Sequence, residues 1–410
     1  MQLSKAFRSL QNRNYALFFW GQLVSRVGMW MQRTAVIWVV YTITHSAFMI
    51  GVATFAEQFP SFLFSIRGGI IADKYNRYKV ILITQALSAL QAVLLTVFAF
   101  SGNFNISVIL LLSVFLGIVN AYDVPVRQSM INEIVEDKED LPNAVALNSS
   151  LNTLARLAGP ALSGFVLAAY GASFCFLANA ISFITVIGAI IAMRLPQTKP
   201  VKAAQKAKGS LREAIDYLKL NRPIAVVIGI SALSNFFVLS YVTLLPVYAK
   251  DVFQGNAATY GWLNSAVGIG AVGGTFYLAL LGKNANFRKI VLVATFLTGV
   301  SLLLFAQSHY LYLSFSFAAL GGLGSICQSS VVITIVQSET DAAFRGRIVS
   351  FIAMAIFGML PLGSLLVGYL APHIGASSTL FSQGIIAILI SLTFYKTLNT
   401  PSLKTATNER

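Results

Sequence analysis

Six ionisable residues lie inside runs of otherwise apolar sequence: Arg26, Arg33, Glu57, Asp123, Arg127 and Arg156. A charge at the centre of a lipid bilayer costs at least about 2.5–3.5 kcal/mol, so each is expected to face a wet cavity or a partner. Arg26 and Arg33 are seven residues apart, about two helical turns, and share a face. Asp123 and Arg127 are four apart and can pair with each other as a gate or packing contact. Glu57 has two open readings: a structural partner for an arginine, or a titrating acid that faces a solute. Arg26, Arg33 and Arg156 against Glu57, with Asp123 as a possible second acid, leave the set mildly cationic. That balance favours an anionic or amphiphilic solute, and Glu57 or Asp123 could carry a proton.

The second half of the chain offers neutral groups in equivalent surroundings: Asn235, Tyr241, Asn264 and Gln328, with Phe236 and Phe237 as aromatic neighbours. Other chemistries find little support. His45, His309 and His373 could suit zinc or copper, but no acidic or thiolate ligand accompanies them, and helix-end histidines are the simpler reading. Cys175 and Cys327, in separate apolar runs, read as core residues. The glycines of Gly270-Ala271-Val272-Gly273-Gly274 precede no Gly-Lys-Ser/Thr, so they are packing glycines and not a nucleotide loop. No nucleophile, metal site or carboxylate pair suggests an enzyme, and no cofactor or metal is expected.

The elements that must position these residues are membrane helices. Apolar residues make up 56% of the 410-residue chain and charged residues 10%, against roughly 25% charged in ordinary soluble domains. The net charge of +15 sits in short stretches between apolar runs, a pattern that speaks against nucleic acid as a partner. A span needs about 20 apolar residues. On that ruler twelve helices are expected, near 15–43, 47–71, 79–101, 106–134, 142–170, 172–193, 223–249, 258–282, 287–306, 310–337, 346–371 and 376–396. Lysine and arginine fall almost wholly in alternate connections, which places both termini in the cytoplasm. The N-terminus has no small-residue cleavage site and is read as uncleaved.

The fold class that follows is an all-α membrane protein of two six-helix bundles. The divisions are 1–193, a basic linker 194–222, 223–397 and a tail 398–410. The linker holds eight Lys/Arg against Glu213 and Asp216. Its Ser210-Leu211-Arg212-Glu213 resembles a capping box, and Leu211, Ile215 and Leu218 share a face, so a short amphipathic helix along the membrane surface is expected. The halves also repeat. Gly159-Pro160-Ala161-Leu162-Ser163-Gly164 has a counterpart in Leu360-Pro361-Leu362-Gly363-Ser364, and Gln128-Ser129 in Gln328-Ser329, at an offset near 200 residues. Such an offset signals two parallel halves related by a pseudo-two-fold axis along the membrane normal.

The loop after the second helix reads Gly69-Ile70-Ile71-Ala72-Asp73-Lys74-Tyr75-Asn76-Arg77-Tyr78-Lys79. It resembles the loop signature of the major facilitator superfamily, with Asn76 where a second glycine usually stands. The resemblance implies a cytoplasmic gate made of Gly69, Asp73, Lys74, Arg77, Asp123 and Arg127, with Asp123 as the helix-four acid that meets Arg77. Ala121-Tyr122-Asp123-Val124-Pro125-Val126-Arg127-Gln128, the run 139–149 and Ala155-Arg156-Leu157-Ala158-Gly159-Pro160 are similar to the branch that contains the enterobactin exporter and macrolide efflux proteins. The likeness implies a monomeric, proton-coupled secondary exporter in the bacterial inner membrane that moves a small amphiphilic or anionic molecule such as a siderophore. A macrolide pump, a lipid flippase and an importer remain open alternatives. Arg26, Arg33, Glu57, Arg156, Asn235, Tyr241, Asn264 and Gln328 are the expected cavity residues, and Glu57 and Asp123 the expected proton carriers.

Overall fold

The computed structural model describes residues 7–102, 105–135, 137, 139–194, 211–282 and 285–399. Ser210, Lys283, the basic run 195–210 and the tail beyond 399 lie outside the described residues. The secondary structure of the described residues is all helical. The first half runs α1 (Arg13–Thr44), α2 (Ala47–Lys74), α3 (Arg77–Phe100), α4 (Ile106–Ile134), α5 (Leu141–Tyr170) and α6 (Ala172–Ala192). A linker helix α7 (Leu211–Leu220) leads to α8 (Arg222–Val252), α9 (Ala257–Ala279), α10 (Phe287–Gln307) and α11 (Leu311–Glu339). Helix α12 runs from Ala342 to Ile374 and α13 covers Ala376–Asn399.

Among the described residues, nine helices are long and apolar enough to cross a membrane: α2, α3, α4, α6, α8 and α10 to α13. Helices α1, α5 and α9 have the length but do not reach that apolarity. Arg26 and Arg33 lie on α1, Arg156 on α5 and Asn264 on α9.

The described residues cluster in two units. Unit 1 takes those of Met1–His45, Ala53–Lys206 and Gly255–Ser265; unit 2 takes those of Ser46–Val52, Ala207–Gln254 and Ala266–Arg410. In unit 1, Tyr15, Phe18, Ile81, Met130, Ile134, Val186 and Ile190 form a buried core where α1, α3, α4 and α6 meet. Helices α2 and α4 touch backbone to backbone at Gly68, against the Ala121 carbonyl, and at Gly117, against the Glu57 carbonyl. Only a residue without Cβ fits there. The glycine that makes the close approach is therefore Gly68. Gly69, the first residue of the loop signature, has nothing within 4 Å of the position a Cβ would take.

In unit 2, α8 is irregular. Ser234–Val238 is a π turn and Leu239–Leu244 is 3-10, just ahead of Pro246. Gln383 of α13 donates to the Phe237 carbonyl at 2.9 Å and to Ser240 Oγ at 3.1 Å, which satisfies groups that the broken ladder leaves over. Helix α7 docks on the start of α12. Tyr217 stacks on Phe344 at 4.5 Å, its hydroxyl accepts from the Asp341 amide, and Glu213 pairs with Arg347 at 3.0 Å. Its buried face is Ala214 and Tyr217, and Ile215, on the apolar face expected to lie along the membrane surface, is exposed.

Candidate functional site

Trp30, Arg33 and Arg156 form one cluster in unit 1. The Arg33 guanidinium lies 5.3 Å from the Trp30 ring centroid and that of Arg156 lies 5.9 Å from it. Each guanidinium is within the range of a cation–π contact with the indole. Arg33 also meets Glu57 of α2, with Nε to Oε2 at 3.4 Å, and both side chains keep some exposure (32% and 19%). Five residues beyond Arg33 on the same helix, Trp38 stacks on Tyr260 at 5.8 Å, and Tyr260 lies within electrostatic reach of Arg33. The cluster holds two guanidiniums against one carboxylate, beside aromatic faces, so it can receive an anion or a flat amphiphile.

Asp123 has a different setting. Its side chain is 3% exposed and pairs with Arg127 at 2.6 Å, as the four-residue spacing implies. Thr84 Oγ1 and Gln85 Nε2 of α3 donate to its Oδ1 at 2.9 and 2.7 Å. Arg26 stands within electrostatic reach of both members of the pair, and no carboxylate lies within 4 Å of it among the described residues. The Asp123 carboxylate is thus fully committed to hydrogen bonds. Near it, α1, α3 and α6 are tied by a chain of buried amides. Asn179 donates to Gln32 at 2.8 Å, Gln32 donates to Gln91 at 2.9 Å, and Gln91 donates to the Leu112 carbonyl. Sequence gave no warning of this chain, since lone neutral amides carry no charge signature.

At the α2–α3 loop, Arg77 bonds Glu133 at 2.5 Å, lies 3.8 Å from the Asp73 carboxylate and donates to the Ala72 carbonyl. Its partner on α4 is Glu133, in place of the Asp123 inferred from sequence. Lys74 lies over the Tyr75 ring. Unit 2 carries a matching pair, Arg288 with Glu339 at 2.6 Å. In both cases an asparagine caps the helix that bears the arginine, Asn76 to the Lys79 amide and Asn286 to the Lys289 amide. The repeat Asn76-Arg77-Tyr78-Lys79 and Asn286-Phe287-Arg288-Lys289 was present in the sequence and points to both. The N-terminus joins the same end of unit 1. Arg8 pairs with Asp140 at 2.6 Å, Asp137 at 3.3 Å and Glu139 at 3.6 Å, and the Ser9 amide donates to Asn143.

The neutral residues of the second half are mostly spent internally. Asn235 donates to the Ser231 carbonyl at 2.8 Å, and Gln328 donates to Ser234 Oγ at 2.6 Å; both are buried. Tyr241 is buried as well. Asn264 donates to the Tyr260 carbonyl and falls in unit 1. Phe236 and Phe237 meet edge to face at 4.6 Å. Of the histidines, His45 caps α1 in the left-handed region (φ 48°) and His373 Nδ1 bonds the Tyr369 carbonyl.

Residues 4–409 match the family model described as transmembrane secretion effector. The chain is 31% identical to the staphyloferrin A transporter of Staphylococcus aureus, over 92% of this chain and 94% of that one. It is 27% identical to the enterobactin exporter of Escherichia coli (91% and 90% covered) and 22% identical to macrolide efflux protein A of Streptococcus pyogenes (91% and 93%). Among solved structures, a D-xylose–proton symporter superposes with a TM-score of 0.73 at 12% identity, covering 92% of this chain and 97% of that one. A POT family transporter in complex with a thioalcohol-conjugated peptide gives 0.71 at 13% identity, covering 95% and 97%. Likeness at that identity concerns the fold alone.

Proposed function

The chain belongs to the transmembrane secretion effector family of the major facilitator superfamily, a multi-pass membrane transporter and not an enzyme, and on that premise we propose that it is a proton-coupled exporter of an anionic, amphiphilic siderophore. The observation that carries this reading is the Arg33–Trp30–Arg156 cluster with Glu57 beside it. Guanidiniums suit carboxylate or catecholate oxygens, and the indole and the Trp38–Tyr260 pair suit a flat apolar part. The names of the transporter relatives support a siderophore over a macrolide, which the cationic cluster would receive less well. Glu57 is the coupling acid in this reading. It has one long ion-pair contact and partial exposure, whereas Asp123 is buried and fully bonded. Protonation of Glu57 would free Arg33 for the solute, so proton and anion exchange on one guanidinium.

We count α1, α5 and α9 as spans along with the nine apolar helices. That gives twelve in two halves, with alternating access between them and both termini in the cytoplasm. Arg77–Glu133 and Arg288–Glu339 then lie at the cytoplasmic ends of their halves and serve as gate contacts. The test is transport by reconstituted protein under an imposed pH gradient. Arg33→Ala and Arg156→Ala should each weaken binding of an anionic siderophore by about tenfold or more, the range for a charged hydrogen bond. Glu57→Gln should keep binding and lose the response to the gradient. Transport that ignores the gradient in the parent, or full coupling in Glu57→Gln, removes the proton from the mechanism.

A further inference from the structure

A groove of about 560 Å³ runs along unit 1 between α1 and α6, and shares no lining residue with the cluster just described. Its floor is made by small residues, Gly21, Gly188, Ala189 and Ala192, and Trp20 stands exposed along one edge. Helix packing explains its shape. The two helices touch where Gly21 meets the Ala189 methyl, and the groove opens beside that contact, where a Cβ on Gly188 would meet nothing within 4 Å. At one end the groove is closed by Arg13. There the Asn14 side chain donates to the Arg194 carbonyl at 3.1 Å and accepts from the Arg194 amide at 3.0 Å, which fixes the backbone of a second arginine beside the residue that follows Arg13. Both arginines are exposed, and neither has an ion-pair partner among the described residues. Residues 1–12 and 195–210 contain no acidic residue that could neutralise them.

We propose that this groove is a binding site for one anionic phospholipid, with an acyl chain along the small-residue floor and the phosphate between Arg13 and Arg194. The dimensions agree. From Arg13 to Val24 is 11 residues, about 16 Å of helix, or half of a hydrocarbon core of about 30 Å. The groove therefore has the depth of one leaflet. A paired arginine mouth between transmembrane helices is a recurring way to hold acidic headgroups. On the placement of lysine and arginine along the chain, that leaflet is the cytoplasmic one. An uncharged or zwitterionic lipid would leave two guanidiniums uncompensated.

The experiment is native mass spectrometry of the delipidated full chain, titrated with dioleoyl phosphatidylglycerol and, in parallel, dioleoyl phosphatidylcholine. The parent should hold one phosphatidylglycerol in preference to phosphatidylcholine. Arg13→Gln with Arg194→Gln should weaken phosphatidylglycerol roughly thirty-fold, at about five-fold per basic residue lost near a membrane surface, and abolish the preference. Gly188→Leu places a side chain in open space, so the fold should tolerate it; it should weaken both lipids and keep their order. Equal binding of the two lipids by the parent would overturn the proposal, as would unchanged phosphatidylglycerol affinity in the double variant. Unchanged binding in Gly188→Leu would overturn the acyl-chain half of it. Substrate transport is not the readout, so the outcome is independent of the export reading.

Discussion

Replacing Asp123 by asparagine isolates one charge in the middle of unit 1. The asparagine carbonyl can still accept from Thr84 and Gln85, so those bonds survive and only the ion pair with Arg127 is lost. What remains is a buried guanidinium with Arg26 nearby and no carboxylate between them. Breaking a buried pair by removing one partner costs about 3–5 kcal/mol. For a folding unit of this size about 2–4 °C of melting temperature corresponds to each kcal/mol, so the variant should melt about 6–20 °C lower. Arg127→Gln should lose less than half as much, because Arg26 is placed to compensate the carboxylate that is left. The double variant Asp123→Asn, Arg127→Gln should regain at least half of the single loss, the mark of a coupled pair. Scanning fluorimetry of the purified protein in one detergent, at one scan rate, reads all three. A single variant within about 1 °C of the parent would refute the buried-pair argument. An Arg127→Gln loss equal to that of Asp123→Asn would refute the role given to Arg26.

The remaining predictions concern the α2–α3 loop. Gly68→Val should abolish export and lower the yield of folded protein, since its side chain would enter the Ala121 carbonyl, whereas Gly69→Ala should be neutral or raise stability by about 0.5–1 kcal/mol. Arg77→Glu should impair export, and Glu133→Arg added to it should restore most of the activity. Asp123→Arg added to Arg77→Glu should restore none; rescue by that combination would show that Asp123 is the true partner.

Much of the architecture was legible in the sequence because its signals are local. Apolar length and basic connections marked the helices, and a four-residue spacing was enough for Asp123 and Arg127. The error over Arg77 was one of depth. Arg77 begins α3, and Glu133 lies in the last turn of α4, while Asp123 is ten residues further back, about 15 Å along the helix axis. An arginine side chain cannot cover that distance, so counting rise per residue from the shared end would have selected Glu133. Helix rotation was harder. Whether Asn235 and Gln328 face a cavity or a neighbour depends on the π turn at Ser234–Val238, which shifts the phase of α8 and which no periodicity reveals. The amide chain through Asn179, Gln32 and Gln91 was silent for a related reason: its partners come from three helices far apart in sequence.

The clasp at Arg8 has a consequence in time. Its nearest acid partner in sequence, Asp137, lies 129 residues later. At about 5–20 residues per second of synthesis, the N-terminal segment waits on the order of ten seconds before the acids that hold it exist. Through that interval Arg8 stands as an uncompensated positive charge ahead of α1, while the orientation of the first helix is being decided. On the cytoplasmic orientation proposed above, the same side chain would serve twice in the life of the molecule, early as a signal that keeps the N-terminus from crossing, and later as the pin that fastens it to the start of α5.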